Sequence, residues 1–389
     1  MDGAREPARR LLVIADDLTG ALDTGVQLAR AGVGTVVVTR AGLAEALQGS
    51  EPAVVVDTES RHLAAADAAT RVVESVLGAC AAGIDLFYKK TDSTLRGNVG
   101  AELAALLSAA GGDELFFVPA LPKAGRITRH GMHLVNGVPL QESTFGKDPR
   151  DPVRTSSVVD LIAAQSDLPA IVVEIGAVPP PDGSARIIVF DAETDQDLRE
   201  IADRLAARGT VRLTAGCSGF AQELPRMLAL PSGDVPRPTL QEPILILSAS
   251  PHEMTTAQIR RAQSEGIPTF HNPPVTAAAV AGLASVLHDS RIVAIQADRT
   301  AEVGELARTI LERTVVATLV VFGGDTAFAV LQALGIRGLR PLGEVCQGVV
   351  ISEPAGGPGD SGLRLVTKAG GFGPQDLIGR IRATAREEA

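Results

Sequence analysis

The stretch Leu11–Gly25, LLVIADDLTGALDTG, decides the fold. Five apolar residues without polar alternation end at Ala15, two carboxylates follow, and Thr19-Gly20 opens an Ala/Leu-rich segment. A strand that is apolar on both faces and passes through a short polar turn into a helix is the unit of a parallel sheet covered on both sides. The same alternation continues outward. Thr35–Thr39, Ala53–Asp57, Leu86–Lys90 and Leu115–Pro119 read as buried strands, and Gly20–Arg30 and Ala64–Ala81 as helices. Ile171–Glu174, Ile187–Phe190 and Val211–Leu213 are further strand candidates.

At 389 residues the chain exceeds what one hydrophobic core usually supports, so two domains are expected. Leu230–Pro243 collects four prolines and interrupts the pattern. Beyond it the alternation restarts, with strands at Ile244–Leu247, Ile292–Gln296 and Leu319–Phe322 and helices at Thr255–Ser264, Ala301–Glu312 and Thr326–Leu334. The expected organisation is α/β: two α/β domains with mainly parallel sheets, 1–230 and 243–389, a linker at about 231–242, and an active-site cleft between the domains. A second Pro/Gly-rich patch, Glu353–Gly362, reads as a surface loop.

Composition narrows the function classes. A net charge of −10 and 3% aromatic residues without Trp argue against a nucleic-acid partner, which needs basic surface and stacking platforms. Three cysteines without CxxC spacing suit reduced thiols. No signal-peptide pattern and no apolar run of spanning length are found, so a cytoplasmic protein without a membrane partner is expected.

Chemistry concentrates where strands end. Asp16 and Asp17 follow the first strand at the end of a parallel sheet that faces ligands. Two adjacent carboxylates can bind sugar hydroxyls, coordinate Mg²⁺ or take a proton from an alcohol, although helix capping alone would also explain one of them. The segment LFYKKTDSTLRGNVGAEL gathers Lys89, Lys90, Thr91, Asp92, Ser93, Thr94 and Arg96, a mixture suited to a small polyhydroxylated anion, with Arg96 offering a planar fork for a carboxylate. The plainer reading is a solvated turn with exposed lysines and Asn98 as the cap of the next helix. Pro119–Pro149 is long and weakly periodic, and holds Arg126, Arg129, His130, His133 and Asn136. The histidine spacing does not suit a helical metal pair, so no metal ligands are assigned. Asn136-Gly137 suits a hairpin turn. In the second half, Gly323-Gly324-Asp325-Thr326 follows a strand and opens a helix, which allows close approach of an anion to free N–H groups. Ser248-Ala249-Ser250 and Lys368-Ala369-Gly370-Gly371-Phe372-Gly373 could line the same region with small residues.

The ordered set ADDLTGALDTG, KTDSTLRGNVGAEL, GRITRHGMHLVNGVPLQES, GGDTAFAVLQALGI and KAGGFG resembles the four-carbon acid sugar kinase family, from Leu11 to about Ile378. The resemblance implies an N-terminal domain for the sugar acid and a C-terminal domain for ATP. It also implies phosphorylation of the 4-hydroxyl of threonate, erythronate or a 3-oxo-tetronate. On that basis Asp16, Asp17, Asp92, Ser93, Arg96 and Arg126 are substrate-side residues. Ser250, Gly323, Gly324, Asp325, Thr326 and Gly370 are nucleotide-side residues. Departures from the family pattern fall in the ATP half: Ala249-Ser250-Pro251-His252-Glu253 for Gly-Ser-x-Ser-Pro, Asp325 for Glu, and Gly371 for Asn.

The expected mechanism has Arg96 or Arg126 clamping the substrate carboxylate and Asp17, or failing it Asp16, orienting the attacking hydroxyl and accepting its proton. The glycine turn would hold the phosphates of ATP, bridged by Mg²⁺. A homo-oligomer is compatible with this reading. Two rival readings are a non-catalytic sugar-acid sensor and a tetronate dehydrogenase or isomerase, the latter disfavoured by the absence of GxGxxG after any strand.

Overall fold

A computed structural model describes residues 9–148, 150–179, 187–209, 211–235, 237–355 and 362–387. The chain divides into two compact units, Met1–Val235 and Pro236–Ala389.

The first unit contains β1 (Leu11–Ala15), β2 (Thr35–Thr39), β3 (Ala53–Asp57), β4 (Leu86–Lys90), β5 (Leu115–Val118), β6 (Arg126–Arg129), β7 (Met132–Val135), β8 (Val138–Pro139), β9 (Ala170–Val173), β10 (Ile187–Phe190) and β11 (Leu213–Gly216). Its parallel sheet has the order β2-β3-β1-β4-β11-β5-β10-β9. Every residue of β1 is buried, as its unbroken apolar run requires of a strand covered on both faces. Helices Leu18–Arg30, Ala65–Ala81 and Val99–Ala109 connect the strands. Because β1 leads to β2 on one side and β4 leads to β5 on the other, β1 and β4 flank the topological switch point. There the connections diverge and open a crevice at the carboxyl ends of the strands.

Pro119–Pro149, read from sequence as weakly periodic, instead carries the antiparallel sheet β6-β7-β8. Asn136-Gly137 makes the turn between β7 and β8 with φ of 50° and 80°. His130-Gly131 repeats it between β6 and β7 with φ of 50° and 72°. Strands this short show too few alternations to be seen as a period.

The second unit contains β12 (Ile244–Ser248), β13 (Thr269–His271), β14 (Ile292–Gln296), β15 (Thr318–Phe322), β16 (Gly338–Cys346), β17 (Val349–Pro354) and β18 (Arg364–Lys368). Their order is β13-β14-β12-β15-β18-β17-β16. The strands from β13 to β18 pair in parallel, whereas β17 is antiparallel to both its neighbours. Helices Glu253–Ser264, Ala277–Ser290, Thr300–Leu311, Gly324–Ala333 and Leu377–Glu387 accompany the sheet. The switch point of this unit lies between β12 and β15. Glu353 and Pro354 close β17, and most of the loop expected at Glu353–Gly362 lies outside the described residues. No helix among the described residues is long and apolar enough to cross a membrane.

Candidate active site

In the first unit, Asp16 and Asp17 leave β1 at the switch point. Asp17 caps helix Leu18–Arg30, its carboxylate accepting from Gly20 N at 2.8 Å and from the Thr19 hydroxyl at 2.8 Å. Capping is not its whole occupation, because Arg61 Nη1 also donates to Asp17 Oδ2 at 2.7 Å. The rest of the Arg61 fork grips Asp16, Nε to Oδ2 at 2.7 Å and Nη2 to Oδ1 at 3.0 Å. Burial would raise the pKa of Asp16, but Arg61 first, then Lys89 and Lys90, hold it below the ordinary range. The two carboxylates thereby differ. The side chain of Asp16 is 3% exposed and locked by a bidentate pair, whereas that of Asp17 is 25% exposed.

Arg61 escaped the sequence reading. It stands four residues beyond β3, and asking which polar residues follow each parallel strand would have found it. Its backbone is pinned to β1 by Ser60 N and Arg61 N on Asp16 O. Asn98 adds a second tie by donating to Ser60 O at 3.2 Å and Leu63 O at 3.0 Å. Asn98 does stand at the helix N-cap, yet its side chain makes no capping bond, which corrects the capping expectation.

The lysines of β4 are also not exposed strand-end residues: Lys89 is 0% and Lys90 3% exposed. Lys89 pairs with Glu102 at 3.1 Å, and burial raises the Glu102 pKa against the pull of that lysine. Glu102 in turn accepts from Ser60 Oγ. Lys90 Nζ donates to Thr91 O at 2.7 Å.

Asp92 and Arg96 bind each other. Arg96 Nε reaches Asp92 Oδ2 at 2.8 Å and Nη2 reaches Oδ1 at 3.1 Å, while Nη1 lies 3.4 Å from Asp148 Oδ2. Burial works against the Asp92 charge, but Arg96 and then Arg61 hold its pKa well below the usual carboxylate range. Arg96 therefore presents no open fork. Arg126 differs: Nη1 donates to Ala124 O at 2.8 Å, and Nε is buried without any hydrogen-bond partner. Among the described residues it has no ion pair, and burial lowers its pKa although Asp92 pulls the other way. An orphaned, partly desolvated guanidinium edge is costly unless something completes it.

His133 holds the loop under Ser93. Its Nε2 lies 3.0 Å from Ser93 O, which can only accept, so Nε2 carries the proton and Nδ1 accepts from the Thr128 hydroxyl at 3.0 Å. Burial brings His133 down to about 4, keeping it neutral. Among the described residues no group of three His, Cys, Asp or Glu side chains is assembled to hold a metal.

In the second unit, Ser250, Gly323, Thr326 and Gly370 converge beyond β12, β15 and β18. Thr326 Oγ1 accepts from Ala249 N at 3.3 Å, and Ser250 N donates to Ser248 Oγ at 3.1 Å. Gly323 has a φ of 102°, and a Cβ there would stand 3.2 Å from Ser250 Cβ. A Cβ on Gly370 would stand 2.8 Å from Ser250 Oγ. Both positions thus require glycine for close packing. Gly324 and Asp325 begin helix Gly324–Ala333, with Asp325 exposed. Lys368, mentioned from sequence only within its segment, proves to be buried directly behind the Gly370 turn.

Two family models match the chain: Sugar-binding N-terminal domain over residues 11–224 and Nucleotide-binding C-terminal domain over 276–378. The chain is 35% identical to D-threonate kinase of Bordetella bronchiseptica, covering 96% of this chain and 97% of that protein. It is 30% identical to 3-oxo-tetronate kinase of Burkholderia multivorans, covering 94% and 95%. A solved structure from Bordetella bronchiseptica, a domain-swapped dimer with bound citrate, matches with a TM-score of 0.51 at 32% identity, covering 97% of this chain and 98% of that one. With these matches spanning both units, the chain belongs to the four-carbon acid sugar kinase family.

Proposed function

We propose that the protein transfers the terminal phosphoryl group of ATP to the 4-hydroxyl of a four-carbon sugar acid: a threonate, an erythronate or a 3-oxo-tetronate. The observation that carries the substrate class is the open edge of Arg126, a guanidinium with no acidic partner among the described residues and a buried Nε without an acceptor. A planar carboxylate completes that edge with two charge-assisted bonds. Arg96, whose fork is filled by Asp92, acts instead by holding Asp92 toward the substrate hydroxyls.

Asp17 orients the attacking hydroxyl and receives its proton. It is the more exposed of the two aspartates, and Asp16 is held as a weakly basic carboxylate by the Arg61 fork. Phosphoryl transfer asks little covalent chemistry of a protein, so this positioning is its main contribution. Ser250, Gly323, Gly324, Asp325, Thr326 and Gly370 receive the nucleotide, where the start of helix Gly324–Ala333 offers N–H groups and a favourable dipole to phosphate. No three His, Cys, Asp or Glu side chains gather to hold magnesium among the described residues, so the ion would be held mainly by the phosphates of ATP, whose charge it would neutralise.

The test is ADP release from ATP with each stereoisomeric tetronate and 3-oxo-tetronate, followed by NMR location of the phosphate on the product. Release with one or more acids and phosphate on C4 is expected. No release with any of them, or phosphate on C2 or C3, refutes the reading.

A further inference from the structure

Lys368 closes β18 and is 1% exposed, with no carboxylate in ion-pair contact among the described residues. Its ammonium lies 4.6 Å from the Phe322 ring centroid and donates to three oxygens: Gly370 O at 2.9 Å, Thr255 Oγ1 at 3.1 Å and Ala369 O at 3.2 Å. Thr255 turns its own proton to Gly370 O at 3.0 Å, so the threonine receives from the lysine and gives to the same carbonyl. One turn further on, Gln258 Nε2 gathers Phe372 O, Gly373 O and Pro374 O at 3.1, 3.1 and 2.9 Å.

The carbonyls of this turn are thus drawn inward onto three side chains, Lys368, Thr255 and Gln258. In a planar trans peptide the N–H points opposite to the C=O. Drawing in Ala369 O and Gly370 O therefore turns the amides of Gly370 and Gly371 away from the lysine, on a turn whose neighbours are Ser250 and His252 at Gly370 and His252 at Gly371. Neither amide makes a hydrogen bond among the described residues. Outward N–H groups on successive residues make an anion-binding concavity.

We propose that Lys368 is a positioning residue for the nucleotide: its ammonium withdraws the Ala369 and Gly370 carbonyls so that the Gly370 and Gly371 amides face a phosphate of ATP, and loss of its charge releases them. The inference rests on the placement of ATP in the second unit. A neutral amine keeps only two N–H donors and turns its lone pair toward the third oxygen, so one bond is lost outright and the other two lose their charge assistance. Burial brings the Lys368 pKa down to about 7, with only Cys346 acting to raise it. The release therefore falls in the neutral range. Around the lysine, β15 presents Phe322, β17 pairs Val349 with it, and helix Glu253–Ser264 presents Thr255 and Gln258. The ionisable groups nearby are Cys346 on β16 and His252 beyond the turn. Arg380, Glu344 and Asp376 act on the Cys346 thiol, which burial raises.

The experiment measures mant-ATP affinity of the full chain at pH 6.0 and 8.5 in wild type, Lys368→Met, Thr255→Val and Ser250→Ala. Wild type is expected to bind at least about fivefold more weakly at pH 8.5, since most of the lysine charge is lost across that interval. Lys368→Met should bind at least about tenfold more weakly at pH 6.0 and show little change with pH beyond the titration of the nucleotide itself. Thr255→Val, which removes one oxygen of the cage, should lose about threefold at pH 6.0 and keeps the proposal testable if Lys368→Met does not fold. Lys368→Met within twofold of wild type at pH 6.0, or sharing its pH profile, overturns the proposal. So does Thr255→Val at wild-type affinity. Ser250→Ala separates the two readings: weakened binding there with intact Lys368→Met sinks only the lysine's role. Unchanged binding in both variants sinks the placement of ATP.

Discussion

Replacing Arg126 by Met should cost function without costing stability, and this combination distinguishes a substrate clamp from a structural arginine. The guanidinium uses Nη1 on Ala124 O, leaves Nε without a partner and has no ion pair among the described residues. A carboxylate placed on the Nε–Nη2 edge would gain two charge-assisted hydrogen bonds, each worth about 1.5–3 kcal/mol. The site is already partly desolvated in the free protein, so most of that gain is retained. A loss of about 3–4 kcal/mol is expected in Arg126→Met, on the order of 10²- to 10³-fold in kcat/KM for the sugar acid. KM for ATP should stay within twofold. In the unliganded protein the same substitution removes a buried charge that nothing neutralises, so urea unfolding should show a change between zero and about +1 kcal/mol.

Arg96→Met is the comparison. It breaks a bidentate pair with Asp92 in which the two side chains are 27% and 12% exposed, and should lower stability by about 2–3 kcal/mol, below the full cost of a completely buried pair. Coupled ADP-release kinetics and urea melts of both variants provide the assay. Arg126→Met with kcat/KM within threefold of wild type, or with an unliganded stability loss above about 1 kcal/mol, refutes the reasoning.

Three further outcomes follow from the site. Asp17→Asn keeps a capping oxygen but gives up the charge on its Arg61 bond, so stability should fall by no more than about 1–2 kcal/mol while kcat falls at least about a hundredfold; Asp16→Asn, measured beside it, should lose more stability because it gives up the bidentate part of the Arg61 fork. Arg61→Lys keeps charge but cannot serve Asp16 and Asp17 together, and should cost about 2–4 kcal/mol in urea unfolding; a change below about 1 kcal/mol would separate Arg61 from the aspartates. Asp16 and Asp92 have folded pKa values below the unfolded value of about 3.9, so the stability they contribute is present above that pH and is lost as pH falls through their folded values. Asp57, raised by burial, works in the opposite direction, because protonation on acidification relieves its cost. Asp57→Asn should therefore raise stability at pH 7 relative to wild type and narrow the difference near pH 4, as read from urea melts at the two pH values.

Much of the fold is legible in the chain itself. β1, β2, β3, β4, β10 and β14 have the limits read from the sequence, because a strand buried on both faces reads as a near-continuous apolar run, which in β4 extends through the buried Lys89 and Lys90. Helix starts moved by one or two residues, as at Leu18 and Gly324, since a first turn is defined by its cap and not by its apolar face. Beyond the hairpin turn at Asn136-Gly137, the strands of the small sheet β6-β7-β8 and the antiparallel β16–β17 pair were not anticipated. The former are too short to show a period, and the latter depends on pairing between distant residues.

The candidate site divides in the same way. Asp16, Asp17, Asp92 and the Gly323 turn can be found in sequence because they stand directly beyond strands that the pattern already reveals. Which arginine is open cannot be found there. Arg96 and Arg126 are equivalent as letters, and only the fold brings Asp92 onto one and leaves the Nε of the other without an acceptor. Arg61 lies 45 residues from Asp16 and enters the site only because β3 packs beside β1. Lys368 likewise gains its meaning from carbonyls that converge on it through tertiary packing. Residue type sets what a side chain can do, while the free energy of burial and the partners that packing supplies decide what it does.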